Sequence, residues 1–247
     1  MRRYLAAALL AAVSTSCEAL RPAESAAPRS VVAPIVIDPG HGGIDYGGVV
    51  DGVKEKNLAL DLALELKKRL AQRELEVRLT RESDERVMLD KRVVDAVDWN
   101  GAAFVSLHFN KEKNKKANGM IVYTYGPEKR KPWRKLAHPT VAPMPAPPKN
   151  QADESARLGR AFAKALRADG HRVEVGHADY YVLKNPSQPS VLLELGYLTN
   201  PEERERIKDP AYRAKIADTL ARVIVAYAEE RALHGVQASN AVPPAAD

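Results

Sequence analysis

Short β-branched runs alternate with longer stretches of helical period along this sequence, and that alternation leaves few folds open. Residues 31–37 read VVAPIVI, a strand running into the turn Asp38-Pro39-Gly40. Residues 55–70 place Leu58, Leu62, Leu66 and Leu70 at helical spacing, with Ala59 and Ala63 beside them. Residues 75–80 alternate as a strand, and residues 85–99 read as a helix with Val87, Val94 and Val97 on one side. Two further strands are expected at 103–109 (AFVSLHF) and 120–125 (MIVYTY). Beyond them the pattern predicts a helix near 152–169, strands near 181–183 and 191–195, and a long helix from about 210 to 233. Strands alternating with helices of this length predict an α/β fold, a mostly parallel twisted sheet flanked by helices on both faces in a single domain. The chain has 247 residues, 45% of them hydrophobic, enough to bury such a core without staples.

Both ends and one internal segment stand apart from this pattern. Residues 1–30 read as an export signal plus flexible linker: Arg2-Arg3, an apolar run from Tyr4 to Val13, then Ser14-Thr15-Ser16. The apolar run is about half the ~20 residues that span a bilayer. Cys17, the single cysteine, follows directly and resembles the lipid-modified cysteine of a bacterial lipoprotein, although Ser14 stands where leucine is usual. Cleavage near Ser25-Ala26-Ala27 is the rival reading; either route exports the protein to the periplasm or cell envelope. The folded domain is expected over 31–234 and a disordered tail over 235–247. Residues 127–150 hold seven prolines and the basic cluster Lys129-Arg130-Lys131, so they read as an insertion loop.

In parallel α/β sheets, sites form beyond the C-terminal ends of strands. Four positions there carry chemistry: His41 after the first strand, Glu55 opening the first long helix, His108 at the end of AFVSLHFN, and Glu194 within SVLLELGY. Gly40, Gly42 and Gly43 permit a tight backbone around His41. Taken alone, each has an ordinary structural reading: a hydrogen-bonded histidine, a helix N-terminal acid, a salt-bridged carboxylate. Glu194 sits between two leucines, where a carboxylate is costly without a partner. Two imidazoles and one carboxylate are a known ligand set for catalytic zinc.

The segments IVIDPGHGG, VKEKNLALDLALELKKRL, LTRESDERVMLDKRV, FVSLHFN and VLLELGYLTNPEE resemble the successive signatures of zinc-dependent N-acetylmuramoyl-L-alanine amidases of the type-3 cell-wall family. They run in family order over about residues 34–230. The resemblance implies one Zn2+ per chain held by His41, Glu55 and His108, with Glu194 as the catalytic carboxylate. The implied substrate is peptidoglycan, cut at the amide between N-acetylmuramic acid and L-alanine. Leu107 and Phe109 replace the usual isoleucine and alanine, and Phe109 is expected to narrow the cleft; Tyr197 stands where phenylalanine is common. Asp38 is expected to support the turn or bond a ligand imidazole, Asn110 to hold the loop after His108 or touch substrate, and His177 to line the cleft or lie on the surface. Lys111, Lys113, Lys115 and Lys116 could attract stem-peptide carboxylates, with a solvated loop as the plain alternative. The proline-rich insertion does not read as an occluding helix, and an extended lid stays open.

Three other functions fit less well. A different exported zinc peptidase would often need acidic ligands for a second metal, and no convincing set is present. A non-catalytic cell-wall binding module is opposed by all four critical positions being filled. The formal charge of +6 suits an anionic partner, but no nucleic-acid motif accompanies it. A monomer is the expected state, and the need for an activator protein is open.

Overall fold

In the computed structural model, which describes residues 33–126, 144–185 and 187–240, the expected alternation is present. The chain runs through β1 (Ile35–Pro39), a small hairpin of β2 (Val49–Val50) and β3 (Val53–Lys54), α1 (Glu55–Ala71), β4 (Val77–Leu79) and α2 (Leu89–Asp98). It continues with β5 (Ala103–Asn110), β6 (Met120–Tyr125), α3 (Lys149–Ala168), β7 (Val173–Ala178) and a 3-10 turn (Tyr181–Lys184). Strand β8 (Ser190–Tyr197) and helices α4 (Pro201–Lys208) and α5 (Pro210–Asn240) complete it.

Six strands form one sheet in the order β4-β1-β5-β8-β6-β7. Strands β4, β1, β5 and β8 run parallel, while β6 pairs antiparallel with β8 and carries β7 parallel to itself. The C-terminal ends of β1, β5 and β8 therefore share one end of the sheet with the start of β6. Gly126, just after β6, lies at the other end.

Strand alternation decides which residues meet which helices. Ile35, Ile37, Val105, Leu107, Val191 and Leu193 join the main core with Leu62 and Leu66 of α1, Phe162 and Leu166 of α3, and Leu220 and Ile224 of α5. On the opposite face Val36, Phe104 and Leu192 meet Val93 and Ala96 of α2 and Val182 and Leu183 of the 3-10 turn. Both faces are thus covered, as the sequence predicts.

Several boundaries differ from the expected ones. Residues 181–183 form a 3-10 turn rather than a strand, and the strand is β7, an edge element whose exposed Glu174, Val175 and His177 break the apolar signal. Helix α4 reads PEERERIK, and its polar sequence hid it; Asn200 caps it by accepting from the Glu202 and Glu203 amides. In α2 the buried residues are Arg92, Val93 and Ala96, whereas Val94 is 51% exposed. Helix α3 starts at Lys149, shortening the expected insertion, of which 127–143 lie outside the described residues. Helix α5 includes residues 235–240 of the expected tail. The export signal with Cys17 and residues 241–247 also fall outside the described residues. No helix among the described residues is long and apolar enough to cross a membrane.

Phe162 is fully buried at the centre of the α3 contact with the sheet. Phe162→Ala should cost about 3–5 kcal/mol, read as a lowered midpoint in urea unfolding.

Candidate metal centre

Three elements bring the expected donors together. His41 lies just past β1, Glu55 is the first residue of α1, and His108 is the third residue from the end of β5. One ligand atom from each lies within 4.8 Å of the others. Glu55 Oε1 is 3.1 Å from His41 Nε2 and 2.9 Å from His108 Nδ1, and it accepts from the Phe109 amide at 3.1 Å. Its other oxygen accepts from the Gly48 amide at 2.7 Å. The two imidazoles meet edge to face, with centroids 4.9 Å apart.

The electrostatics follow from this crowding. Burial opposes a charge on His41, but hydrogen bonds to Asp45 and Glu55 overcome it and push its pKa up to about 10. Asp45 is pulled down to about 2, chiefly by its hydrogen bond to His41. Burial works against ionised Glu55 as well, yet His108 and His41 hold it well below the usual carboxylate range. A carboxylate at a helix N-terminus gains further from the helix dipole. Two imidazole nitrogens and a carboxylate oxygen converging on one point suit a borderline cation.

The His41 loop is fixed from beneath. His41 has a backbone φ of 61°, a region costly for a residue with a side chain. Buried Arg92 donates to the carbonyls of Pro39 (2.8 Å) and His41 (2.6 Å), and pairs with Asp38 at 2.5 Å. Buried Arg81 donates to the carbonyls of Pro39 (3.0 Å), Gly40 (2.8 Å) and Lys56 (2.8 Å). Asp45 Oδ2 lies 2.9 Å from His41 Nδ1, leaving Nε2 to face Glu55. Lys56 Nζ donates to the Gly43 carbonyl (2.7 Å) and to Asp84 (2.6 Å). Glycines make room: a Cβ on Gly40 would lie 2.3 Å from His108 Cε1, and one on Gly47 would lie 2.5 Å from both Glu55 Oε2 and His41 Cδ2.

Other expected site residues fall into two groups. Glu194 pairs in register with His108 on the neighbouring strand, so both side chains share a sheet face. Asp38 supports the turn rather than touching an imidazole, accepting from Thr80 and Ser106 hydroxyls at 2.6 Å each as well as from Arg92. Burial would raise its pKa, but the Arg92 charge and these bonds hold it low. Asn110 accepts the Leu198 amide at its carbonyl, 2.8 Å, tying β5 to the end of β8. The register slips between His108 and Asn110, with Gly196 at φ 119°, so Tyr197 comes opposite Asn110. Burial, then Glu112 and Glu194, push the Tyr197 phenol up to about 12.

His177 does not join the site. It pairs with Thr124, bonds its hydroxyl at 3.2 Å, and shares the α3 face near the other end of the sheet. Phe109 does not narrow the cleft either, being 1% exposed within the main core. Sequence reasoning missed Asp45, Arg81 and Arg92, and also Glu203, which accepts the Tyr197 amide at 2.7 Å and the Gly119 amide at 2.8 Å. Asp45, four residues after His41, was the nearest available signal; a charged residue bound for a buried clamp looks like any other helix or loop cation.

A sheet that gathers at one end two imidazoles and a carboxylate able to hold a metal ion, with a further carboxylate one strand away, has the build of a hydrolase domain. Comparison with known proteins narrows that class: over residues 35–226 the chain matches the Amidase_3 family, N-acetylmuramoyl-L-alanine amidase, and it belongs to that family. It is 30% identical over 224 residues to the N-acetylmuramoyl-L-alanine amidase AmiA of Escherichia coli (strain K12), covering 78% of this chain and 75% of that one. The solved catalytic domain of CwlV, an N-acetylmuramoyl-L-alanine amidase from Bacillus (Paenibacillus) polymyxa var. colistinus, is similar with TM-score 0.65 and 28% identity, over 79% of this chain and 97% of that one. The CwlD amidase of Clostridioides difficile, solved in complex with the GerS lipoprotein, aligns with TM-score 0.61 and 25% identity, over 79% and 98% of the two chains.

Two substitutions probe the clamp and the cradle. Arg92→Met leaves Asp38 buried without its cation and should cost about 3–5 kcal/mol by denaturant unfolding. Gly40→Ala should displace the His108 ring and weaken metal binding at least tenfold in a competition titration with a chromogenic chelator.

Proposed function

We propose that this chain is an exported N-acetylmuramoyl-L-alanine amidase that holds one zinc ion through His41, Glu55 and His108. The convergence of these three donors within 4.8 Å, beside Glu194, carries the reading. When bound, zinc supplies Lewis-acid polarisation of the amide carbonyl and lowers the pKa of water toward ~7. The rest is the work of the chain's own groups. Glu194 takes a proton from the attacking water and passes it to the nitrogen of L-alanine. The C–N bond breaks, leaving a carboxylate on the muramic acid lactyl group and a free amine on the peptide. Asp45 fixes which His41 nitrogen faces inward, and the Gly48 and Phe109 amides keep the Glu55 carboxylate in one orientation. Arg81 and Arg92 hold the strained His41 loop, so little reorganisation is left for the reaction itself.

Action in the cell envelope is supported by the family and by the signal-like residues 1–16. A protein activator belongs to the same reading, because the similar CwlD was solved with a lipoprotein bound. Lipid anchoring at Cys17 is the proposed alternative to simple secretion.

Incubating the purified chain with peptidoglycan, with and without chelator, tests the reading through mass spectra of the released fragments. Peptides beginning at L-alanine, lost on chelation and restored by zinc, are expected; fragments cut inside the peptide would replace the amidase reading with a peptidase. Glu194→Gln should retain zinc by elemental analysis while turnover falls by 10²-fold or more. His41→Ala should lose the metal, and full zinc occupancy in that variant would remove His41 from the ligand set.

A further inference from the structure

We propose that the loop of residues 111–119 is a subsite for free carboxylates on the peptide half of the substrate, an extension that rests on the amidase reading above. The loop reads KEKNKKANG and joins β5, which carries His108, to β6. Lys111, Lys113, Lys115 and Lys116 are all exposed, and among the described residues none has an ion-pair partner. Four lysines against one glutamate give this loop a marked positive charge. At physiological ionic strength the charges act together, since the screening length is about 8 Å.

Its position places that charge at the reaction end of the sheet. Lys111 lies three residues past His108. A Cβ built on Gly48 would lie 3.4 Å from Lys111 Cβ and 3.4 Å from Glu55 Oε2, so the lysine backbone flanks the donor cluster directly. The loop is also held in place. The Glu112 amide donates to Thr199 Oγ1 (3.1 Å), and the Gly119 amide donates to Glu203 Oε1 (2.8 Å). Asn200 Nδ2 donates to the Ala117 carbonyl (3.2 Å), and the Lys116 amide donates to Asn114 Oδ1 (3.0 Å). A backbone fixed at both ends and the middle presents its cations without having to order first.

The chemistry of the substrate matches this placement. The peptide leaving the scissile amide ends in a carboxylate, and acidic residues along it add more. An extended peptide advances at most ~3.3–3.6 Å per residue, so a carboxylate two or three residues beyond alanine falls within reach of lysines flanking the cluster. Exposed ion pairs are individually weak, so the effect is expected from the group rather than from one lysine.

The test uses the full chain loaded with zinc, and two muramoyl peptides that differ only in bearing free or amidated carboxylates. Wild type should prefer the free acid about tenfold in KM, and the preference should shrink as salt rises. The quadruple variant K111A/K113A/K115A/K116A should lose the preference, while the quadruple lysine-to-arginine variant should keep it. Thermal melts of each variant confirm that the loop change leaves the fold intact. Fluorescence anisotropy with the labelled peptide alone, free or amidated, reads the subsite without turnover. Equal KM and equal binding for the two peptides, or a preference surviving in the alanine variant, would overturn the proposal. Tighter binding of polyphosphate than of the acidic peptide would also overturn it, in favour of a phosphate-bearing polymer. Carboxylate-dependent peptide binding without any cleavage would sustain the subsite and sink the amidase reading instead.

Discussion

A single buried carboxylate, Asp38, organises the chemical end of this sheet. It is 1% exposed, and an ionised group in that position is tolerated only when every oxygen is answered. The answers come from three elements at once: Thr80 after β4, Ser106 on β5 and Arg92 on α2. Arg92 in turn donates to the Pro39 and His41 carbonyls, and to that of Val87. The charge needed to neutralise Asp38 is therefore also what holds a histidine in a left-handed backbone conformation. Remove the pair, and the loop loses its reason to keep that shape.

Much of the fold is written in residue spacing, and the misses have a common cause. Helix α1 follows its leucine spacing to within a residue, because Leu58, Leu62 and Leu66 face a core that needs them. β7 and α4 escaped because neither is held by an apolar stripe. β7 is an edge strand, supported by backbone pairing with β6, and α4 depends on the Asn200 cap and on Glu203, which accepts the Tyr197 and Gly119 amides. Long-range polar bonds of that kind leave no period in a sequence.

The candidate site divides in the same way. His41, Glu55, His108 and Glu194 could be picked out because strand ends are where α/β sheets place chemistry. Their supports could not. Arg81 and Arg92 act by donating to carbonyls of a loop that lies about forty to fifty residues earlier in the chain. His177, open in the sequence between cleft and surface, lies exposed on the other face because strand parity sends it there, and parity is unknown until the register of β6 against β7 is fixed.

The reversed direction of β6 separates two parts of the molecule that adjoin in sequence. The loop entering β6 begins beside the donor cluster at Lys111, whereas β6 itself ends at the far end, where the Gly126 amide meets the Ala178 carbonyl at 3.4 Å. The donor cluster and Gly126, the last described residue before the proline-rich segment, thus lie at opposite ends of one sheet. Substitutions at Gly126 or Ala178 bear on the far end of the sheet rather than on the donor cluster. An evolving or engineered chain can vary that end while the donor cluster keeps its geometry.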